Sequence, residues 1–330
     1  MTKSILPINP TYQQACDLID NAGDETWLPS IQYICQRHQI EAESITRIAV
    51  GGNVLFRIND DFIVKLVPPN WAYQGEAEVE ASTIIGDKLS LKVPQVVASG
   101  SIDGWVFVVM TILPGISLAD VWSDLDVINK HSIIAKVGKF IHEIHRLEVP
   151  TKSCLAPNWQ DYYQQLVDDC LPRHTRKQLP EVLLKQIPEY FAKHGLDRFN
   201  VLCDLDEKAK DIFIHMDLHP WNLMVEEKEE GYELSGVLDF GDAIIGRSCL
   251  LELATPLLFM CQGDQALCRT LLSNYQLIEE SDCQLLVSRL MAVSLLRPAC
   301  DFNFVLQQVP ETAPRKDWES IAKQLFPLCN

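Results

Sequence analysis

The spacing of apolar residues changes once along this chain, and the change limits the folds open to it. Between Ile45 and Leu113, apolar and β-branched residues come in short runs, "ITRIAVGGNVLFRINDDFIVKLV" and "VPQVVASGSIDGWVFVVMTIL", broken by Gly-Gly-Asn, Asn-Asp-Asp and a Gly-bearing turn. Runs of this kind predict strands joined by tight turns. One segment of helical spacing, "QGEAEVEASTIIGDKL", interrupts them, giving three strands, a helix and two strands. After Leu113-Pro114-Gly115 the apolar positions recur every three or four residues, as in "SLADVWSDL" and "INKHSIIAKVGKFIHEIHRL". Helices are therefore expected there, and again over 159–171, 180–194, 250–275 and 281–296. The expected class is α+β, with a small antiparallel sheet followed by a larger, mainly helical part. The expected division is a helical N-terminal extension over 1–44, a sheet lobe over 45–113 and a helical lobe over 114–330. A chain of 330 residues exceeds the size at which one core keeps growing, so two lobes should share a cleft where a ligand can sit.

Charge and cysteine usage narrow the partners. A net charge of −17 argues against a nucleic-acid or anionic-membrane surface and favours the approach of a cationic small molecule. The eleven cysteines form no C-x-x-C pair and none has zinc-finger spacing to a histidine, so all are read as reduced thiols. The opening "MTKSILPINPTYQQAC" lacks the apolar core of a signal peptide. No run reaches the roughly 18 apolar residues of a membrane span, so the expected compartment is the cytoplasm. The sequence carries no signature of an oligomeric state and no internal repeat.

The stretch "FIHMDLHPWNLMV" (213–225) sets polar residues in an apolar run, and "LSGVLDFGD" follows it after the charged turn "EEKEEG". Phosphoryl transfer from a nucleotide needs an acceptor for the attacking hydroxyl's proton and oxygen ligands that hold Mg²⁺ against the phosphates. Asp217 suits the first role. Asn222, five residues on, and Asp239 on the next strand suit the second, with Phe240 packing inward and Gly241 turning the backbone. His215 is read as ordering the loop, and His219 and Trp221 as packing or cleft-lining residues. In the strand "FIVKLV", Lys65 is a lone charge among apolar neighbours, suited to nucleotide phosphates. Gly51, Gly52 and Asn53 form a turn whose backbone can approach those phosphates. Such a lysine needs a carboxylate from the next helix, and Glu76, Glu78 and Glu80 are the candidates. Glu78 lies nearest the face formed by Ala77, Ala81, Ile84, Ile85 and Leu89, with Glu80 as the alternative. His142 and His145, three apart on one helix, lack a third ligand and are read as packing residues.

In this order and separation, "HMDLHPWN" and "DFG" resemble the aminoglycoside phosphotransferase family, the small-molecule branch of the protein-kinase-like fold, with matching elements from about Gly51 to about Ala254. The resemblance implies a bilobal kinase that uses ATP or GTP and two Mg²⁺ ions. By position it makes Asp217 the catalytic aspartate, Asn222 and Asp239 metal ligands, and Lys65 the phosphate lysine. It also implies that the backbone from Met110 to Leu113, Ile112 included, holds the purine. Glu252 stands where many relatives carry an aspartate. Met216 replaces the arginine of regulated protein kinases, and a helical pattern follows Asp242 with no long activation loop and no A-P-E. The implied acceptor is thus a small hydroxylated molecule, although the turn at Gly51 lacks the full G-x-G-x-x-G. A nucleotide-binding scaffold without turnover and a protein Ser/Thr kinase are the rival readings. Asp161, Asp168, Asp169 and Asp301 could meet a cationic substrate, and solvated helix faces explain them equally well.

Overall fold

The computed structural model describes residues 4–49, 51–194, 210–229, 231–277 and 283–329. The alternating segment forms an antiparallel sheet of β1 (Ile45–Ile48), β2 (Val54–Ile58), β3 (Phe62–Val67), β4 (Val96–Ile102) and β5 (Trp105–Thr111), in the order β1-β2-β3-β5-β4. Helices α1 (Tyr12–Asn21) and α2 (Asp24–Arg37) precede it, and α1 opens with a capping box between Thr11 and Gln14. Trp27, Ile31 and Ile34 of α2 join Val54, Phe56, Leu66, Trp105 and Phe107 in one apolar core, so the first helices share their core with the sheet.

The strand period of two decides where Lys65 goes. Val64 and Leu66 face the core with α2, and Lys65 between them points to the opposite face, toward α3 (Tyr73–Ile85). Gly75 lets α3 approach the sheet closely, since a Cβ there would lie 2.5 Å from Cγ1 of Val106. That approach brings the glutamate one turn further along the helix within reach of Lys65.

At Gly115 the chain leaves the sheet with φ +102°, and a Cβ would sit 2.3 Å from the carbonyl oxygen of Val225. Where "SLADVWSDL" predicts a helix, the chain instead forms β6 (Ile116–Ser117) and a single turn, Leu118–Asp120. Pairing of β6 with Met224 and Val225 outweighs the local spacing there. The remainder comprises α4 (Val127–Ile144), α5 (Trp159–Arg176), α6 (Glu181–Leu184), α7 (Ile187–Lys193), β7 (Ile212–Ile214), β8 (Leu223–Lys228), β9 (Gly231–Val237), β10 (Ile244–Gly246), α8 (Leu250–Pro256), α9 (Gln265–Tyr275), α10 (Cys283–Leu296), α11 (Phe302–Gln308) and α12 (Trp318–Leu325).

Two expected helices are broken. The pattern over 180–194 divides into α6 and α7, the latter with a proline in its first turn. The pattern over 250–275 breaks after α8 into a π-helical turn, Leu257–Cys261, and then a left-handed pair, Gln262 (φ +49°) and Gly263 (φ +80°). Of the helix expected over 281–296, the first two residues lie outside the described residues, as does Glu230 of the "EEKEEG" turn. Strands β6, β8 and β9 form one small sheet, and β7 pairs with β10. Their inner faces pack with α4, α8 and α10 through Phe140, Phe213, Leu223, Leu253 and Leu290.

The all-thiol reading needs correction, because Cys283 at the start of α10 is disulfide-bonded to Cys329, with Cα atoms 5.7 Å apart. The two are 46 residues apart, and only the packing of α12 on α10 carries the chain end back to that point. Cys203 lies outside the described residues. Among the described residues no helix is long and apolar enough to cross a membrane.

Candidate active site

The polar residues of 213–225 occupy the loop between β7 and β8, and three layers of contact hold that loop. From below, Glu252 of α8 accepts the N–H groups of His215 (2.5 Å) and Met216 (3.4 Å) through Oε2. Within it, His215 donates from Nε2 to the carbonyl of Leu238 (2.9 Å), and its Nδ1 accepts the Asp217 N–H (3.2 Å). That fixes a neutral imidazole, and burial pushes its pKa down. From the side, Arg297 donates Nε and Nη2 to the Met216 carbonyl at 3.2 and 2.6 Å, a residue held at φ +73°.

Asp217 leaves this loop with its carboxylate partly exposed. Its Oδ1 accepts from Nη2 of Arg297 at 2.8 Å, and its Oδ2 from Nε2 of His219 at 3.0 Å and Nδ2 of Asn222 at 3.1 Å. Burial would raise its pKa, but the bond from His219 and the charge of Arg297 outweigh that and hold the carboxyl well below the usual range. Asn222 also gives Nδ2 to the Asp217 carbonyl (3.0 Å). Both of these side-chain bonds use the amide nitrogen, which turns the amide oxygen away from Asp217.

Across the cleft, Lys65 is buried between two carboxylates, Oε2 of Glu78 and Oδ1 of Asp239, each 2.7 Å from Nζ. Of the three candidate glutamates, Glu78 is the one that meets Lys65; Glu76 is exposed and Glu80 half-buried. Burial alone would depress the lysine pKa, yet Asp239 and Glu78 together raise it above the ordinary value. Burial pushes Glu78 up against the pull of Lys65, whose charge lowers Asp239. Glu78 also accepts the Phe240 N–H through Oε1 (3.3 Å), tying α3 to the segment after β9. Phe240 packs inward on His215, with ring centroids 4.5 Å apart. Gly241 and Asp242 turn the backbone as the sequence suggests, closed by the Ala243 N–H on the Phe240 carbonyl at 3.1 Å, and the left-handed residue is Asp239 (φ +60°). The left-handed conformation there accompanies the aim of Asp239 at Lys65 and a bond from the Gly241 N–H at 3.4 Å.

The turn Gly51-Gly52-Asn53 is open, with no atom within 4 Å of the Cβ position of either glycine. Asn53 is held by Trp71 Nε1 (2.9 Å) and donates to Gln74 (3.3 Å), which in turn donates to Asp242 (2.9 Å). Met110 lies near the end of β5 opposite Ile63. The Ile112 N–H is already bonded to the Asp61 carbonyl at 3.1 Å, so that amide is not available to a purine. A cavity of about 280 Å³ is lined by Tyr73, Glu76, Tyr162 and Asp242, among others, and by Met216 and Arg297, the chain neighbour and the ion-pair partner of Asp217.

Three side chains here escaped the sequence reading: Arg297, Gln74 and His219 as a partner of Asp217. Arg297 had a signal of the kind that marks Lys65, a lone cation after the run "LMAVSLL". Gln74 had none. Among the described residues no group of three or more His, Cys, Asp or Glu side chains could hold a metal ion, and His145 instead bonds the Tyr275 hydroxyl (3.0 Å).

A profile of the phosphotransferase enzyme family matches residues 44–249. No curated protein matches the sequence. Among solved structures, the GDP complex of aminoglycoside 2'-phosphotransferase-IIIa is 16% identical, covering 85% of this chain and 96% of that one at a TM-score of 0.64. The streptomycin-ATP-APH(2")-IIa ternary complex is 19% identical, with 87% and 91% coverage and a TM-score of 0.58. The macrolide 2'-phosphotransferase MphH from Brachybacterium faecium is 14% identical, with 87% and 99% coverage and a TM-score of 0.55. At such identities the likeness establishes the protein-kinase-like fold. Because the family profile spans more than half of the sequence, the chain belongs to the phosphotransferase enzyme family.

Proposed function

We propose that this enzyme transfers the γ-phosphate of ATP or GTP to the hydroxyl of a compact acceptor that carries an amine. The observation that supports the reading best is the buried Lys65, held between Glu78 and Asp239 in the cleft that Asp217 also faces. In this reading residues 45–113 form the nucleotide lobe, residues 114–330 carry the catalytic loop and acceptor site, and residues 1–44 back the sheet. Lys65 holds the nucleotide phosphates, with Gly51, Gly52 and Asn53 as their cover. The purine lies against Met110 and the backbone that follows it, through groups other than the Ile112 N–H.

Asp239 and Asn222 would hold Mg²⁺. Two protein ligands suit an ion that keeps several waters and takes its remaining oxygens from phosphates, and the bonds from Asn222 to Asp217 use its amide nitrogen and not its oxygen. When bound, the ion neutralises charge on the phosphates. Asp217 orients the acceptor hydroxyl. As the acceptor oxygen bonds to the γ-phosphorus, the bond from phosphorus to the β,γ-bridging oxygen breaks and its electron pair leaves on the nucleoside diphosphate. The hydroxyl proton passes to Asp217. A cavity of about 280 Å³ with the carboxylates of Glu76 and Asp242 in its lining supports a compact, amine-bearing acceptor.

The test is nucleoside diphosphate release from MgATP and MgGTP over a panel of aminoglycosides, choline, ethanolamine and uncharged sugars. Amine-bearing alcohols should be turned over, and Asp217→Asn should lose at least about 10²-fold in kcat with nucleotide affinity retained. Tight nucleotide binding by calorimetry with no turnover of any acceptor would favour a scaffold. Unchanged turnover in Asp217→Asn would remove Asp217 from its role.

A further inference from the structure

Arg297 is almost wholly buried at the end of α10, 80 residues from Asp217 in sequence. A buried guanidinium is costly unless its N–H groups are satisfied. Its Nη1 has no partner among the described residues, and the bonds it does make all go to the catalytic loop, at the Met216 carbonyl and Asp217 Oδ1. The side chain is therefore shaped to the loop and not to its own satisfaction.

Counting lone pairs shows what this does. A carboxylate offers about four acceptor sites, two on each oxygen. On Asp217, Oδ2 already receives His219 and Asn222, while Oδ1 receives Arg297 alone. The remaining site is on Oδ1, the oxygen that Arg297 orients. Arg297 also lines the cavity with Met216, Tyr162 and Asp242, so a hydroxyl entering from that cavity arrives beside the guanidinium.

We propose that Arg297 is a positioning residue for phosphoryl transfer: it fixes the rotation of the Asp217 carboxylate so that one lone pair of Oδ1 faces an acceptor hydroxyl entering from this cavity. The inference rests on the reading of Asp217 given above. A cation on the base does not defeat the reaction, because in a loose phosphoryl-transfer transition state orientation outweighs basicity. Lysine cannot replace it, since one ammonium lacks the planar fork that spans a backbone carbonyl and a carboxylate together.

The experiment measures ADP release from MgATP with water as the acceptor, so no substrate need be identified, in wild type, Asp217→Asn, Arg297→Lys and Arg297→Ala. Both Arg297 variants should lose roughly 10- to 100-fold in kcat, the scale of a misplaced reacting group, with the KM for MgATP unchanged. Added methylguanidine should restore activity to Arg297→Ala but not to Asp217→Asn. If Arg297→Lys keeps kcat within twofold while Asp217→Asn is inactive, the proposal fails and the role of Asp217 stands. If Asp217→Asn turns over MgATP normally, the underlying reading fails instead. A kcat loss that methylguanidine leaves unchanged, with parallel loss of melting temperature and MgATP affinity, marks Arg297 as merely structural and also overturns the proposal.

Discussion

Replacing Glu252 by glutamine should remove a pH dependence of stability that originates directly beneath the loop that carries Asp217. Glu252 is fully buried, and burial is the main reason its pKa is pushed from 4.5 up to about 7, against the bonds from the His215 and Met216 N–H groups. Its Oε1 has no partner among the described residues, as suits a carboxyl that carries a proton in the folded state. The sign follows from proton counts. Between pH 4.5 and about 7 the folded protein holds a proton that the unfolded chain has released, so stability falls as pH rises through that window. At about 1.36 kcal/mol per pH unit the loss reaches roughly 3 kcal/mol above the folded pKa. Glutamine keeps an oxygen for the two N–H groups and carries no charge at any pH. Glu252→Gln should thus match wild type near pH 4.5 and exceed it by roughly 3 kcal/mol at pH 8. Urea denaturation at intervals from pH 4.5 to pH 8 measures this directly, with the m-value as a check that the unfolded state is unchanged. Parallel stability curves for the two proteins would refute the argument, since they would mean that Glu252 is ionised throughout.

Two further outcomes are expected. Lys65→Met leaves Glu78 buried without its ammonium and should cost roughly 3–5 kcal/mol of stability, while the Lys65→Met/Glu78→Gln double variant recovers most of it. Equal denaturation midpoints for the single and double variants would contradict the buried pair. Gly115→Ala forces a side chain onto a left-handed backbone and against the Val225 carbonyl, and should lower stability by roughly 1–3 kcal/mol in thermal melts. An unchanged melting temperature would show that this connection is not fixed.

Much of the fold was legible because its signals are local. Strand alternation placed the sheet, and the same alternation explains why Lys65 leaves the face that Val64 and Leu66 share. Helical spacing served α3 and α4 well but read "SLADVWSDL" as helix, where pairing with β8 decided otherwise. It also ran α8 into α9 across the left-handed pair Gln262-Gly263, a break that binary patterning does not register.

The polar residues of the loop and the aspartate after β9 are set by short-range order along the chain, so the sequence alone named Asp217, Asn222 and Asp239 and the chemistry they suit. Contacts between residues far apart in the chain leave no such trace. Helical spacing singled out Glu78 as the partner of Lys65, but that Lys65 also meets Asp239, that Gln74 links Asn53 to Asp242, that Cys283 pairs with Cys329, and that Arg297 holds Asp217 were decided by packing. The physical reason is common to all four. Periodicity reports which face of an element is buried, whereas the partner on that face depends on how two elements are brought together in space.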